Sequence, residues 1–551
     1  MTDVKNFRSF DENGEMIRGG RACSGGKGVV SAGRAEAAAI GRDIIAKGGN
    51  AVDAAVATAF AMGVCEPNAS GLGGGGFMMI RSAKTGECVF LDFRETAPAK
   101  ASPAMYQLKA PGSDEDIKLR NIYGGMAVAT PGETAGLLYA LEHYGTMDRK
   151  EVMAPAAKLA REGYVVTPLL NGDMKEHQEH LKQYGDGWKV YLKDGEPWPV
   201  GSIITNPALA DTLDKIAEGG KDAFYKGEIA DRIIAQVAKD GGLLSHEDLE
   251  GFKVRVLKPV SSTYRGYELI SSPPPSSGGT HVIEILNVLE NFDVASMEVN
   301  SPEYIHLFSE ICKICYADRA KYMGDPNFVH VPLTGLLSKD YAKELAKTVD
   351  LTKSEPPRFG DPGKYESIST THFSIADAEG NMVAVTRTIN HFFGASVMPE
   401  GTGFMLNDEM EDFSLDPESA NAVAGGKVPL SCMSPTFILK DGKPFAVLGS
   451  PGGLRIISSV AQVISKIIDH GMSLEDAINS PRMGDHLSDT IIYESRIPES
   501  TMDTLRAMGH KTFTYSDWNR IMGAVNGVKY EDDGTISGAA DPRRDGLAVG
   551  I

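Results

Sequence analysis

The chain has 551 residues, 42% hydrophobic and 23% charged, and 74 Asp and Glu against 55 Lys and Arg give a formal charge of −19. Such a composition excludes general disorder, and its scattered glycines exclude a collagen-like repeat. The acid excess offers no footprint for nucleic acid or an anionic membrane, there is no 18-residue apolar run to span a bilayer, and six cysteines make no disulfide framework.

The first twenty residues, MTDVKNFRSFDENGEMIRGG, lack the apolar core of a secretory signal, so a cytoplasmic location is expected. Residues 34–64 are Ala-rich and broken at Gly48-Gly49-Asn50, which predicts two packed helices. A glycine run from Ser70 to Gly76 follows, then strand-like stretches Gly76 to Arg81 and Cys88 to Phe93. Gly71 to Gly76 satisfies G-x-G-x-x-G, with Asp92 21 residues after Gly71. A dinucleotide site needs a strand to deliver the glycines to a helix N-terminus. Here a helix precedes and a strand follows, so a tight turn with close backbone packing is the better reading.

Helical patterns dominate from Pro131 to about Gly251. His177-Gln178-Glu179-His180 falls there among polar residues with no third ligand nearby, and reads as a solvated face rather than a metal site. Ser272 to Gly279, SPPPSSGG, is an irregular loop, since proline continues neither helix nor sheet ladder. Helices are predicted from about Gly279 to Leu289 and from Pro302 to Met323. The latter carries Cys312-Lys313-Ile314-Cys315, whose thiols at helical spacing read as core residues rather than a redox pair. Residues 350–365 are the best candidate for an exposed, mobile segment, and from Thr370 the character shifts to strands. There is no internal repeat, linker, P-loop, H-E-x-x-H or nucleophile elbow, and the whole reads as one alternating helix-and-strand body.

Residues Thr370 to Asn390, TTHFSIADAEGNMVAVTRTIN, read as two alternating strands closed by Ala378-Glu379-Gly380, with Gly380 in the left-handed position. That register sets His372 opposite Thr386 and Thr370 opposite Thr388, close enough for a hydroxyl–hydroxyl bond. An ordinary Thr-rich hairpin has the same pattern, since Thr favours strands.

This hairpin, with SGLGGGGFMMI, LDFRETAPAKASPAMY, YRGYELISSPPPSSGG, NDEMEDFS, PLSCMSPT, GSPGG and the closing DPRRDGLAVG, resembles the γ-glutamyltransferase (glutathione hydrolase) family from about Gly28 to the C-terminus. The resemblance implies the α+β architecture of the N-terminal nucleophile hydrolases, a four-layer αββα sandwich of two intertwined fragments of one precursor. It implies self-cleavage between Ser369 and Thr370 into a large subunit, 1–369, and a small subunit, 370–551, that form a heterodimer. Thr370 would be the nucleophile and Thr388 its partner. Gly452 and Gly453 would supply oxyanion amides. Arg94 and Ser431 would grip the substrate α-carboxylate, and Asn390, Glu409 and Asp412 would surround its α-ammonium. Without the resemblance, Asp408 to Asp412 would read as a solvated acidic loop and Gly449 to Gly453 as a plain turn.

Two departures from the family pattern stand out. Cys432 follows Ser431 where the family usually has a second serine, and a thiol is the weaker donor. Only 14 residues, Leu415 to Val428, separate Phe413-Ser414 from Pro429-Leu430-Ser431, too few for the lid many members carry. The expected activity is hydrolysis or transfer of γ-glutamyl groups from glutathione or related donors to water, amino acids or peptides, biased to hydrolysis. No cofactor or metal is implied, and no nucleic acid or membrane partner. The alternatives are an acylase of the same fold acting on glutaryl or other amides, and a binding protein that never cleaves itself.

Overall fold

The structure is a computed structural model that describes residues 7–106, 120–356, 370–486 and 490–551. Ser369, and residues 357–365 of the segment expected to be exposed, lie outside the described residues.

Fourteen strands build the centre of the molecule. In chain order they are β1 (Ala22–Gly25), β2 (Gly28–Ala32), β3 (Gly75–Arg81), β4 (Cys88–Asp92), β5 (Arg255–Leu257), β6 (Val260–Tyr264), β7 (Tyr267–Ser271), β8 (Thr371–Asp377), β9 (Met382–Thr388), β10 (Thr436–Lys440), β11 (Lys443–Gly449), β12 (Asn526–Tyr530), β13 (Ile536–Ala540) and β14 (Leu547–Gly550). They form two seven-stranded antiparallel sheets, ordered β14-β2-β8-β9-β3-β4-β5 and β1-β13-β12-β11-β10-β7-β6.

Strand periodicity divides the core. Val30, Ile375 and Val383 face outward onto helices α1 (Ala35–Ala46) and α2 (Ala51–Cys65). Val29, Ala376 and Met382 face inward, toward Val447, Val528 and Ala539 of the second sheet. The second sheet's outer face is covered by α3 (Gly278–Leu289), α4 (Pro302–Tyr322) and α5 (Arg455–Ile468). The result is helix, sheet, sheet, helix, the predicted order of layers. Every residue of β8 and β9 is buried. Two-sided burial suits the small, apolar and hydroxyl side chains that dominate both strands, and the charged Arg387 among them is paired with Glu133.

The two Ala-rich helices form as predicted. α2 starts at Asn50, whose side chain accepts from the backbone of Val52 and Asp53 in a reciprocal capping box. The chain after Thr370 is less purely strand than expected, because it contains α5 as well as Glu499–Ala507. The β-branched run RIISSVAQVISKII imitates a strand, yet Ile457, Val460, Ile464 and Ile467 recur at helical spacing. Residues 350–356 also depart from the expectation of mobility, for all their exposed side chains. Lys313 Nζ of α4 donates to Ser354 Oγ at 2.7 Å and the Glu355 carbonyl at 3.0 Å, and Ser354 N donates to the Met508 carbonyl at 2.7 Å. Among the described residues no helix is long and apolar enough to cross a membrane.

Candidate active site

The β8–β9 hairpin has the predicted register, with Thr371 paired to Arg387 and His372 to Thr386. Gly380 closes the loop at φ 95°. At the open end, Thr370 Oγ1 donates to Thr388 Oγ1 at 3.2 Å, and the backbone N–H of Asn390 donates to the same Thr388 oxygen at 2.8 Å. Asn390 sits at φ 74°, a left-handed conformation that asparagine tolerates, and this turns the chain sharply after β9.

The glycine run supports this hairpin from behind. A Cβ at Gly74 would lie 2.1 Å from the Thr388 carbonyl oxygen, and one at Gly73 2.1 Å from that of Met405. Close backbone packing, not a phosphate cradle, is what these glycines provide.

Thr370 and Thr388 open onto a cavity of about 350 Å³, shared with Asn390, Arg94, Asp412, Ser431, Cys432 and Gly453. Of the other predicted residues, Glu409 stands fully buried behind Arg94, and Gly452 precedes Gly453 at the turn. The segment Asp408 to Asp412 is no solvated loop: Glu409–Asp412 is a 3₁₀ turn with Glu409, Met410 and Glu411 buried.

Arg94 is nearly inaccessible. Its Nε donates to the Pro429 carbonyl at 3.2 Å, while Nη2 pairs with Asp412 and lies 2.8 Å from Glu409 Oε2 in an orientation that makes no hydrogen bond. Burial pushes the Glu409 carboxyl well above its ordinary range even against the Arg94 charge, and raises Glu95 to about 8 and Glu411 to about 7. Five carboxyls (Glu95, Asp408, Glu409, Glu411, Asp412) thus crowd around one guanidinium and one imidazole. Burial pushes Glu95, Asp408, Glu409 and Glu411 toward their neutral forms, and Arg319 adds a second guanidinium to the cavity wall.

Gly452 (φ 131°) and Gly453 (φ 57°) adopt conformations that disfavour other residues, and their carbonyls accept from Arg455 and Ile456 at the start of α5. Among the described residues neither N–H has a protein acceptor. Two amides at the positive end of a 14-residue helix, beside the cavity, are suited to hold an oxyanion.

Opposite them, Ser431 Oγ accepts from Met433 N at 3.1 Å, and Cys432 Sγ accepts from Arg319 Nη2 at 3.0 Å. Burial raises the Cys432 thiol pKa, and the Arg319 charge opposes this only in part. The short loop from Leu415 to Val428 is more than a missing lid, since Asp416, Ser419 and Asn421 form part of the cavity wall. Asn421 fixes the loop, donating to the Asp412 carbonyl at 2.6 Å and accepting from Leu430 N at 3.0 Å.

Three site residues escaped the sequence reading. Glu411 Oε2 accepts from Asn390 Nδ2 at 3.3 Å. Asp408 clasps His391, accepting from its backbone N–H at 2.8 Å with its second oxygen 2.6 Å from Nδ1. Arg544 Nη1 donates to the Thr370 carbonyl at 2.5 Å. Asp408 and Glu411 lie inside the quoted NDEMEDFS, where they read only as members of an acidic run. Arg544, 174 residues from Thr370, carried only the closing DPRRDGLAVG as a hint.

The decoy motifs resolve as structure. Cys312 and Cys315 are buried core thiols whose pKa values burial drives far up. His177 is buried rather than solvated, bonded to the Asp173 carbonyl at 3.0 Å, and His180 stacks on Tyr123. Among the described residues one group has the make-up of a metal site, His306, Glu310 and His510. Its polar atoms are engaged with one another and with the chain: His306 Nδ1 meets His510 Nε2 at 2.7 Å, His306 Nε2 donates to the Asp350 carbonyl at 2.7 Å, and Glu310 Oε1 takes Lys313 Nζ at 2.9 Å. An ammonium on the carboxylate opposes a cation there, and the network pins residues 350–356.

The family model described as gamma-glutamyltranspeptidase matches residues 37–551. The chain belongs to the γ-glutamyltranspeptidase family. A glutathione hydrolase proenzyme of Escherichia coli is 43% identical over 540 residues, 95% of this chain and 92% of the relative. An acylase ACY 1 proenzyme of a Pseudomonas species is 39% identical over 534 residues, 96% of this chain and 95% of the relative. Among solved structures, cephalosporin acylase from Bacillus halodurans superposes with a TM-score of 0.89 at 29% identity, covering 98% of this chain and 99% of that one. The γ-glutamyltranspeptidase of Helicobacter pylori gives 0.54 at 39% identity, over 60% of this chain and 92% of that one. The four layers of this γ-glutamyltranspeptidase family member are therefore those of the N-terminal nucleophile hydrolases.

Proposed function

We propose that the chain is a self-processing γ-glutamyl hydrolase and transferase acting on glutathione and related γ-glutamyl compounds. The observation that carries this reading is the Thr370–Thr388 hydroxyl pair at 3.2 Å, opening onto one cavity with Arg94 and Asp412. In maturation, the Thr370 hydroxyl attacks the Ser369 carbonyl carbon. The peptide bond gives way to an ester, and water hydrolyses the ester to leave fragments 1–369 and 370–551 held together as a heterodimer. Cleavage frees the Thr370 α-amine, whose ordinary pKa of about 7.7–8.0 leaves it partly neutral near pH 7.

That amine then takes the hydroxyl proton as Thr370 Oγ attacks the γ-carbonyl of the donor, with Thr388 holding the hydroxyl in line. Negative charge on the carbonyl oxygen meets the amides of Gly452 and Gly453, worth about 3–4 kcal/mol per donor in comparable sites. The proton passes to the departing amine, and water or an acceptor amine later breaks the γ-glutamyl ester by the same route reversed. Arg94 and Ser431, with Cys432 beside them, hold the α-carboxylate. Asn390, Glu409 and Asp412 receive the α-ammonium.

A denaturing gel tests the reading. Purified protein should give two bands, near two-thirds and one-third of 59.0 kDa, the smaller beginning at Thr370. Thr370→Ala should give one inactive band, and a single band from the natural sequence would favour a binding protein. The acylase reading is favoured by the likeness to the two acylases. Equal kcat/KM on glutaryl and γ-glutamyl anilides would decide for it, since a site built around an ammonium should reject the glutaryl group.

A further inference from the structure

The closing stretch DPRRDGLAVG resembles the family, yet none of the steps above uses its arginines. Arg544 is buried, and its Nη1 donates to the Thr370 carbonyl oxygen at 2.5 Å. The same nitrogen lies 3.7 Å from Glu66 Oε1, at the end of α2. The ring of Phe392 lies close to both Arg544 and Arg520, and Arg520 is itself neutralised by a two-bond pair with Asp173. His372, next but one along β8, is held neutral by burial, with its pKa down to about 3. Across the cavity Arg94 is paired with Asp412 and Glu409. Asp541 and Asp545 flank Arg544 in the chain, and Asp541 is engaged by Arg482 and Arg543. Immediately behind Thr370 stands Arg544, bonded to its carbonyl, with Glu66 one step further back; burial raises the Glu66 carboxyl, which also faces Arg34, Arg387 and Asp545.

We propose that Arg544 is a positioning residue that fixes Thr370 by its carbonyl and lowers the basicity of the Thr370 α-amine, with Glu66 as the opposing counter-charge. This rests on the reading of Thr370 as an N-terminal nucleophile. The amine and carbonyl belong to one residue, so covalent geometry keeps the guanidinium within roughly 6 Å of the amine. A like charge at that range disfavours the ammonium form. More of the amine is then free base at neutral pH, the form that accepts the threonine proton. Glu66, beyond the guanidinium, offsets part of this effect. Removing the cation should raise the amine pKa, and removing the anion should lower it.

The test is the pH dependence of kcat/KM for a γ-glutamyl anilide, measured on the cleaved enzyme and on Arg544→Met, Arg544→Lys and Glu66→Gln. The acid limb should move up by about one pH unit in Arg544→Met. It should return toward its original position in Arg544→Lys and move down in Glu66→Gln. A purely structural role would lower activity without opposite shifts. Limbs that stay in place, or that move the same way in Arg544→Met and Glu66→Gln, overturn the proposal. If Arg544→Met fails to cleave, Glu66→Gln decides alone: a downward shift supports the proposal and an unmoved limb overturns it. Failure of the natural sequence to yield a fragment beginning at Thr370 would instead refute the functional reading, and this inference with it.

Discussion

Replacing Thr388 by valine removes one oxygen and preserves the shape and strand preference of the side chain. That oxygen has two partners. The Thr370 hydroxyl, 3.2 Å away, loses its acceptor, and the buried backbone N–H of Asn390, 2.8 Å away, loses its own. An unpaired buried donor costs about 1–3 kcal/mol. Here it also releases the bond that holds Asn390 at φ 74°, in the turn that aims its amide at Glu411. The stability loss is best read in the uncut Thr370→Ala background, where a single chain unfolds, and should be about 1–3 kcal/mol in urea. Loss of the Thr370 contact frees the nucleophile to rotate. A neutral bond worth about 1 kcal/mol predicts roughly a five- to tenfold fall in kcat, with a similar slowing of self-cleavage on a gel time course. Thr388→Ser keeps the oxygen and should recover most of both. Wild-type kcat and cleavage rate in Thr388→Val would refute the reasoning, as would a Thr388→Ser variant equally impaired, because shape would then matter and the hydroxyl would not.

Arg94→Met should raise KM for γ-glutamyl anilides by about 10- to 100-fold through loss of charge-assisted bonds, while an uncharged butyryl anilide changes little; equal losses on both would show that Arg94 does not read the carboxylate. His391 gives a pH signature. Burial alone would push its imidazole down, but Asp408, with Glu411 and Asp412 behind it, outweighs burial and holds it at about 9. Its stabilising charge is fully present below its ordinary value of about 6.5 and disappears as pH rises through 9, so thermal stability should fall across that window in the parent and less in His391→Asn. Parallel curves would remove the His391–Asp408 pair from the explanation. Finally, the short loop between Ser414 and Pro429 should let water reach the Thr370 ester, so free glutamate should exceed γ-glutamyl-glycylglycine at modest acceptor concentration. Transfer that dominates at low acceptor would mean that Asp416, Ser419 and Asn421 close the wall better than their loop length suggests.

The hairpin was legible because its two determinants, alternation and a left-handed Gly380, are local. The close backbone packing of the glycine run was legible because the order of flanking elements is also local. α5 was obscured because β-branched residues buried on every side satisfy helix and strand patterns alike. Arg94, Asp412 and Ser431, which meet in one cavity, and Glu409 behind Arg94 needed the family resemblance, since their meeting depends on strand order across two sheets. Asp408 and Glu411 were quoted in the acidic run, but their contacts with His391 and Asn390 depend on burial that no local pattern reveals. His177 was misread for the same reason, as its polar neighbours suggested water where the fold supplies Phe393 and the Asp173 carbonyl. Arg544 could be located only when β13 and β14 brought the C-terminal stretch behind Thr370.

The order of strands bears on the molecularity of refolding. In the first sheet β14 lies against β2, which lies against β8, so segments from either side of position 369 alternate; in the second, β10 to β13 are flanked by β1 at one end and by β7 and β6 at the other. A cut between Ser369 and Thr370 would leave each piece with unpaired sheet edges that only the other piece can cover. The uncut chain regains its fold as a first-order process. The cut pair, once separated by denaturant, would have to find each other by diffusion, so recovery should fall on dilution while the Thr370→Ala chain recovers independently of concentration. Such an enzyme would be assembled once, as a single chain, and persist thereafter by the slowness of its unfolding.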